Sequence, residues 1–167
     1  ATVEEQQRAY ESIKLLGTPS GAQPGQEVWV RGRLGKLRAG ASNCFIVLRA
    51  AGQYTVQACF FKEKITPKQS KDMLTSLAGL TEESVIDVRG ELVEATVTGC
   101  SQSNVEVQIK EVVVVSKSLP NLPFEIEEAG RSEEEILASE ETERPIARIG
   151  QDLRLNSRWI DLRIPAN

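Results

Sequence analysis

Apolar and polar residues alternate along five segments of this chain, which is the pattern of half-buried β-strands. In the first segment Val28, Val30 and Leu34 share one face, whereas Arg31 and Arg33 point to the other face. The pattern predicts strands over 28–34, 43–50, 54–61, 84–95 and 104–116.

One helix is predicted between the third and fourth strands. Thr66 is a good N-cap, Pro67 suits the first helical position, and Gly79 suits the position after the helix end. Three strands, a helix and two strands are the order of a five-stranded Greek-key barrel of the OB type. An SH3-like barrel does not need this helix, and a β-sandwich has about seven strands. The predicted fold class is therefore all-β with one helix.

The segments on either side of the barrel differ in composition. The apolar spacing before Gly17 predicts a short N-terminal helix. Ser132 and Glu135 match a capping box, so a short exposed helix is predicted in the acidic stretch. The predicted organisation is a helix and loop, the barrel, an acidic linker and a lead-in to a further domain, over 1–26, 27–118, 119–150 and 151–167.

Composition excludes several functional classes. The 167 residues are 40% hydrophobic and contain no histidine, which removes the Ser-His-Asp triad and histidine-ligated zinc. The three cysteines are far apart, so we expect reduced thiols in a cytoplasmic protein. No membrane span, secretory leader, catalytic constellation or metal site is expected.

Charge is distributed unevenly although the net charge is only −4. Residues 27–66 carry seven basic and two acidic side chains, whereas residues 119–145 carry nine acidic and two basic ones. A basic block of this kind attracts a phosphate backbone, but it is also what a solvated charged face looks like.

The strand pattern places an aromatic and an amide on one outer face. If Ile46 and Leu48 fill the core, Phe45 points outward, and by the same rule Gln57 points outward in the next strand. An exposed ring beside an amide and arginines is typical of a surface that binds single-stranded nucleic acid. A slip of one residue would instead bury Phe45 in the core.

The strand sequences together resemble the anticodon-binding domain of class IIb aminoacyl-tRNA synthetases, the aspartate, asparagine and lysine enzymes. The last segment, QDLRLNSRWIDLR over 151–163, is similar to the lead-in to the catalytic domain in the eukaryotic cytosolic aspartyl members. The resemblance implies an OB-fold that reads the middle uridine of an anticodon. It further implies that Phe45 stacks on this base, Gln57 hydrogen-bonds its edge, and Glu106 and Arg38 contact neighbouring nucleotides.

The same resemblance implies the partners of the domain. They are the anticodon loop of tRNA-Asp, the enzyme's own catalytic domain and a second subunit. ATP and Mg²⁺ would act in the catalytic domain, which would follow residue 167, so no cofactor is expected in this fragment. Electrostatic assistance to RNA binding is expected from three strand arginines, Arg31, Arg33 and Arg49.

Two alternatives remain open at this stage. The lysyl and asparaginyl enzymes share the middle uridine, so the partner would then be a different tRNA. In the second alternative, the valines over 112–115 and the acidic segment bind a protein partner, and the barrel is a protein-interaction module.

Overall fold

The computed structural model describes residues 8–50, 53–62 and 67–164, apart from the side chains of residues 67–70. The predicted N-cap Thr66 lies outside these residues. None of the described helices is both long enough and apolar enough to cross a lipid bilayer. The elements of the barrel are β1 (Glu27–Ala39), β2 (Asn43–Arg49), β3 (Thr55–Phe61), α1 (Pro67–Ala78), β4 (Val85–Glu94) and β5 (Val105–Ser116).

The five strands form a closed barrel in the order β1-β2-β3-β5-β4. All neighbours are antiparallel except β3 and β5, which pair in parallel over Gln57–Glu106, Ala58–Val107 and Cys59–Gln108. This short parallel ladder closes the ring, and α1 lies between β3 and β4 in the chain. The predicted all-β OB-fold is confirmed.

The barrel interior is filled by one face of every strand, as the alternation predicts. Cys44, Ile46 and Leu48 of β2 are fully buried, and the residues between them are half-buried on the outer face. Phe45 is therefore not in the core, and the alternative register is excluded.

Strand β1 is longer than predicted. Residues 35–39 were expected to form a loop, but β1 continues to Ala39 through a register shift between Leu34 and Leu37. Leu37 pairs with Ile46 and packs against the core, which holds the extension to the barrel. Arg38 consequently lies in a strand rather than in the loop before β2.

The predicted N-terminal helix is wrong for the part that the structure describes. Residues 1–7 lie outside it, and residues 8–16 contain only a 3-10 helix, Ile13–Leu15, after a bridge between Tyr10 and Trp29. Ile13 and Leu16 are buried in the barrel core. Tertiary packing of two apolar side chains therefore decides the path of this segment, rather than local helix propensity.

The chain divides into two compact units, Ala1–Ser118 and Leu119–Asn167. The second unit contains α2 (Ile126–Ala129), α3 (Glu133–Ser139), α4 (Gln151–Asn156) and α5 (Arg158–Asp161). The predicted capping box of Ser132 and Glu135 is present at the start of α3. Phe124, Ile126, Ala129, Ile160 and Ile164 form a small apolar cluster, so the acidic segment and the last helices pack together.

A buried carboxylate ties the N-terminal segment to the barrel wall. Asp87 of β4 is fully buried and accepts hydrogen bonds from Arg31 (Nε, 2.7 Å, and Nη2, 2.9 Å) and from the Tyr10 hydroxyl at 2.7 Å. Arg8 donates to it at 3.1 Å and lies over the Trp29 ring. Burial by itself raises the pKa of Asp87, but these donors outweigh it, and its pKa lies below the usual 3.8.

We expect Asp87→Asn to lower the free energy of unfolding at pH 7 by about 2 kcal/mol, because an amide cannot satisfy these donors. A carboxylate with a depressed folded pKa stabilises the fold above its unfolded value of 3.8, and this contribution is lost as the pH falls through the folded pKa. The difference in the free energy of unfolding between wild type and variant, measured by urea titration, should therefore be smaller at pH 3 than at pH 7. Glu91→Gln is the control. It replaces an exposed acid of the same strand and should change the free energy of unfolding only slightly.

Candidate nucleic-acid interface

Two aromatic rings lie side by side on the outer face of β2 and β3. Phe45 is half-buried, whereas Phe61 is 48% exposed, and their ring centroids are 5.7 Å apart with the planes at 87°. Phe45 is opposite Cys59 in the register, so Phe61 is its diagonal neighbour on the same face. This edge-to-face contact restrains the Phe45 ring while its remaining surface faces outward.

An exposed basic side chain lies next to Phe45. Arg38 of β1 is directly opposite Phe45 in the register and is exposed. It forms no hydrogen bond or ion pair with any residue that the structure describes. An exposed guanidinium of this kind can contact a phosphate or the face of a base.

On the other side of Phe45 an amide meets a carboxylate. Gln57 of β3 and Glu106 of β5 are register partners in the parallel ladder, and Gln57 Nε2 donates to Glu106 Oε2 at 2.9 Å. Gln57 is the second diagonal neighbour of Phe45, which places it about 7 Å away by sheet geometry. A base stacked on Phe45 would thus have its edge within reach of Gln57. We call Arg38, Phe45, Gln57, Phe61 and Glu106 the Phe45 face.

Cys59 has the outward parity of this face, yet it is only 1% exposed. It is a short side chain in a strand with neighbours on both sides, and its register partners Phe45 and Gln108 are long. Burial, followed by the nearby Glu106 carboxylate, raises the pKa of the Cys59 thiol to about 12. The thiol therefore stays protonated and adds no negative charge to the face.

The other three candidate arginines have acidic or carbonyl partners. Arg31 is bound to Asp87, and Arg49 pairs with the nearly buried Glu83 at 2.5 Å. Arg33 is opposite Arg49 in the register and donates to the backbone carbonyl of Glu83 at 3.3 Å. These arginines hold β1, β2 and the segment before β4 together, so part of the positive charge of the basic block is neutralised within the protein.

Of the predicted site residues, the fold brings together Arg38, Phe45, Gln57 and Glu106. Phe61 was missed by the sequence reasoning. The signal was available, because Phe61 has the same strand parity as Gln57. Among the described residues no group of acidic or cysteine side chains could hold a metal ion.

The Phe45 face offers an aromatic surface, an amide with both a donor and an acceptor, a carboxylate and an exposed guanidinium. A nucleobase stacks on a ring and is identified through hydrogen bonds to its edge, while a guanidinium contacts phosphate. The face therefore has the chemical groups needed to bind an unpaired base in a single strand.

No protein-family model matches the sequence. The chain is 43% identical over 147 residues to the cytoplasmic aspartate–tRNA ligase of Caenorhabditis elegans, covering 85% of this chain and 27% of the relative. It is 42% identical over 144 residues to cytoplasmic aspartate–tRNA ligase 2 of Arabidopsis thaliana, covering 84% of this chain and 25% of the relative. The chain thus spans about a quarter of the length of the curated relatives that it matches.

A solved structure shows the same relationship. The aspartyl-tRNA synthetase of Entamoeba histolytica matches 99% of this chain and 34% of its own with a TM-score of 0.86 and 25% identity. Sequence and structure therefore agree that the chain belongs to the family of the cytoplasmic aspartyl-tRNA synthetases and corresponds to the N-terminal portion of those enzymes.

Proposed function

We propose that this barrel binds the anticodon loop of tRNA-Asp through the Phe45 face and that its role is recognition rather than catalysis. The observation that carries the proposal is the grouping of an outward ring, an exposed arginine and a hydrogen-bonded amide on adjacent strands. Membership of the aspartyl family favours tRNA-Asp over the tRNAs of the lysyl and asparaginyl enzymes.

In this proposal Phe45 stacks on the middle uridine and Gln57 hydrogen-bonds its edge. Phe61 supports the Phe45 ring and enlarges the apolar surface. Arg38 contacts the phosphates of the loop. Arg31, Arg33 and Arg49 contribute to the positive field, but their main partners are within the protein.

We also propose a function for the whole protein, because its relatives are about four times as long as the segment that they match. The whole protein would be a cytoplasmic aspartate–tRNA ligase that activates aspartate with ATP and Mg²⁺ and esterifies tRNA-Asp. Its catalytic domain would hold those cofactors and would be a partner of this barrel. We further propose a homodimer, for which the exposed Val114 and Val115 at the end of β5 are candidate contact residues.

Replacement of Phe45 tests the stacking surface. We expect Phe45→Ala to weaken binding of the tRNA-Asp anticodon stem-loop by about 1–3 kcal/mol, because a stacked base loses its aromatic support. Fluorescence titration gives the affinity and a thermal melt checks the fold. Trp159→Ala removes an exposed ring of the second unit and should leave the affinity unchanged. If wild type and a folded Phe45→Ala variant bind the stem-loop with equal affinity, the proposal is wrong.

Phe61→Ala should have a smaller effect of about 1 kcal/mol on the same titration, since it removes only the edge contact and the added surface. A loss as large as that of Phe45→Ala would make Phe61 the principal stacking residue and contradict the assignment.

Salt dependence tests the role of Arg38. We expect Arg38→Ala to reduce the slope of log affinity against log salt by about one, because one phosphate contact is lost. Lys117→Ala is the matched control, since this exposed lysine follows the end of β5 opposite to Glu106 and should leave the slope unchanged. The same slope in Arg38→Ala as in wild type would exclude a phosphate contact by Arg38.

A further inference from the structure

We propose that Glu106 is a positioning residue that fixes the orientation of the Gln57 amide, and that this orientation selects a base with an imino N–H over cytosine. The inference rests on the proposed function and deepens it. It differs from the expectation that Glu106 contacts a neighbouring base directly.

The register makes this contact part of the barrel. Gln57 and Glu106 are partners in the parallel ladder that closes the ring, so their side chains leave adjacent backbone positions on the same face. Both are half-buried, and Gln57 Nε2 lies 2.9 Å from Glu106 Oε2. Neither side chain has to swing out of the sheet to form this hydrogen bond.

Carboxylate chemistry then decides which way the amide points. A glutamine amide can be turned over, which exchanges its oxygen with its nitrogen. A carboxylate only accepts hydrogen bonds, so it binds the Nε2 side and repels the Oε1 side. With Nε2 held by Glu106, the carbonyl oxygen Oε1 is turned away from Glu106. It accepts no hydrogen bond from the residues that the structure describes.

A fixed amide presents a defined order of acceptor and donor to a base stacked on Phe45. Gln57 offers Oε1 as an acceptor and keeps one N–H of Nε2 as a donor. Uracil has an imino donor at N3 next to a carbonyl acceptor, which fits this order. Cytosine has an acceptor at N3 and would face Oε1 with a like group. The reversed amide would favour cytosine instead.

The surroundings of Glu106 support this role. The protonated Cys59 thiol adds no second anion beside the carboxylate. Arg38 is opposite Phe45 in the β1–β2 register and forms no ion pair with Glu106. Glu106 therefore accepts a hydrogen bond from the Gln57 amide, and the neutral Cys59 thiol beside it is a second hydrogen-bond partner of the carboxylate.

The test measures discrimination rather than affinity alone. The tRNA-Asp anticodon stem-loop is titrated beside the same stem-loop with cytidine in the middle position, using the wild-type chain and Glu106→Gln. A glutamine at position 106 can accept or donate, so the Gln57 amide is no longer fixed. We expect the preference for uridine over cytidine to fall by about tenfold. Glu111→Gln makes the same charge change on the same strand and should retain the preference.

A double-mutant cycle separates positioning from direct contact. If Glu106 acts through Gln57, then Glu106→Gln should not change the preference further in a Gln57→Ala background. Additive losses would mean that Glu106 reads a base itself and would overturn the inference. An unchanged preference in folded Glu106→Gln would also overturn it and would leave the proposed function standing. If Phe45→Ala and Gln57→Ala both bind as well as wild type, the proposed function fails instead.

Discussion

The short parallel ladder between β3 and β5 is the constraint on which the rest of this structure depends. It closes the barrel, and its first register pair is Gln57 with Glu106. A closed barrel has no free strand edge between these strands, so the two side chains keep their relative position. The same closure puts β3 between β2 and β5, which brings Phe45 and the amide pair onto one continuous outer surface.

The electrostatics of the barrel depend on which arginines of residues 27–66 contact buried acidic side chains. Asp87 is fully buried and Glu83 is nearly buried, and a buried carboxylate needs hydrogen-bond donors to replace its lost hydration. Arg31 donates to the Asp87 carboxylate and Arg49 donates to the Glu83 carboxylate, whereas Arg33 donates to the backbone carbonyl of Glu83. Arg38 has no such partner among the described residues. A count of charges along the sequence gives all four arginines equal weight, whereas the structure separates the exposed Arg38 from three arginines that bind acidic or carbonyl groups of the protein.

The candidate site also depends on the different sizes of neighbouring side chains on the outer face of the sheet. Cys59 is buried because its register partners, Phe45 and Gln108, have larger side chains. It lies in β3 between Gln57 and Phe61. Phe61 restrains Phe45 from one diagonal, and Gln57 approaches from the other. An aromatic ring and an amide are thereby held on one outer face, as diagonal neighbours of the sheet.

The sequence by itself determined the five strands, the helix after β3 and the outward parity of Phe45, Gln57 and Glu106, because period-two alternation is a local property that burial enforces. The resemblance carried by residues 27–163 indicated the family. Only the tertiary structure decided that β1 runs to Ala39, that Ile13 and Leu16 pack into the core without an α-helix, and that Cys59 is buried. It also decided which arginines are neutralised and which face of the Gln57 amide is held. These properties depend on contacts between residues far apart in the chain, and such contacts leave no periodic signal.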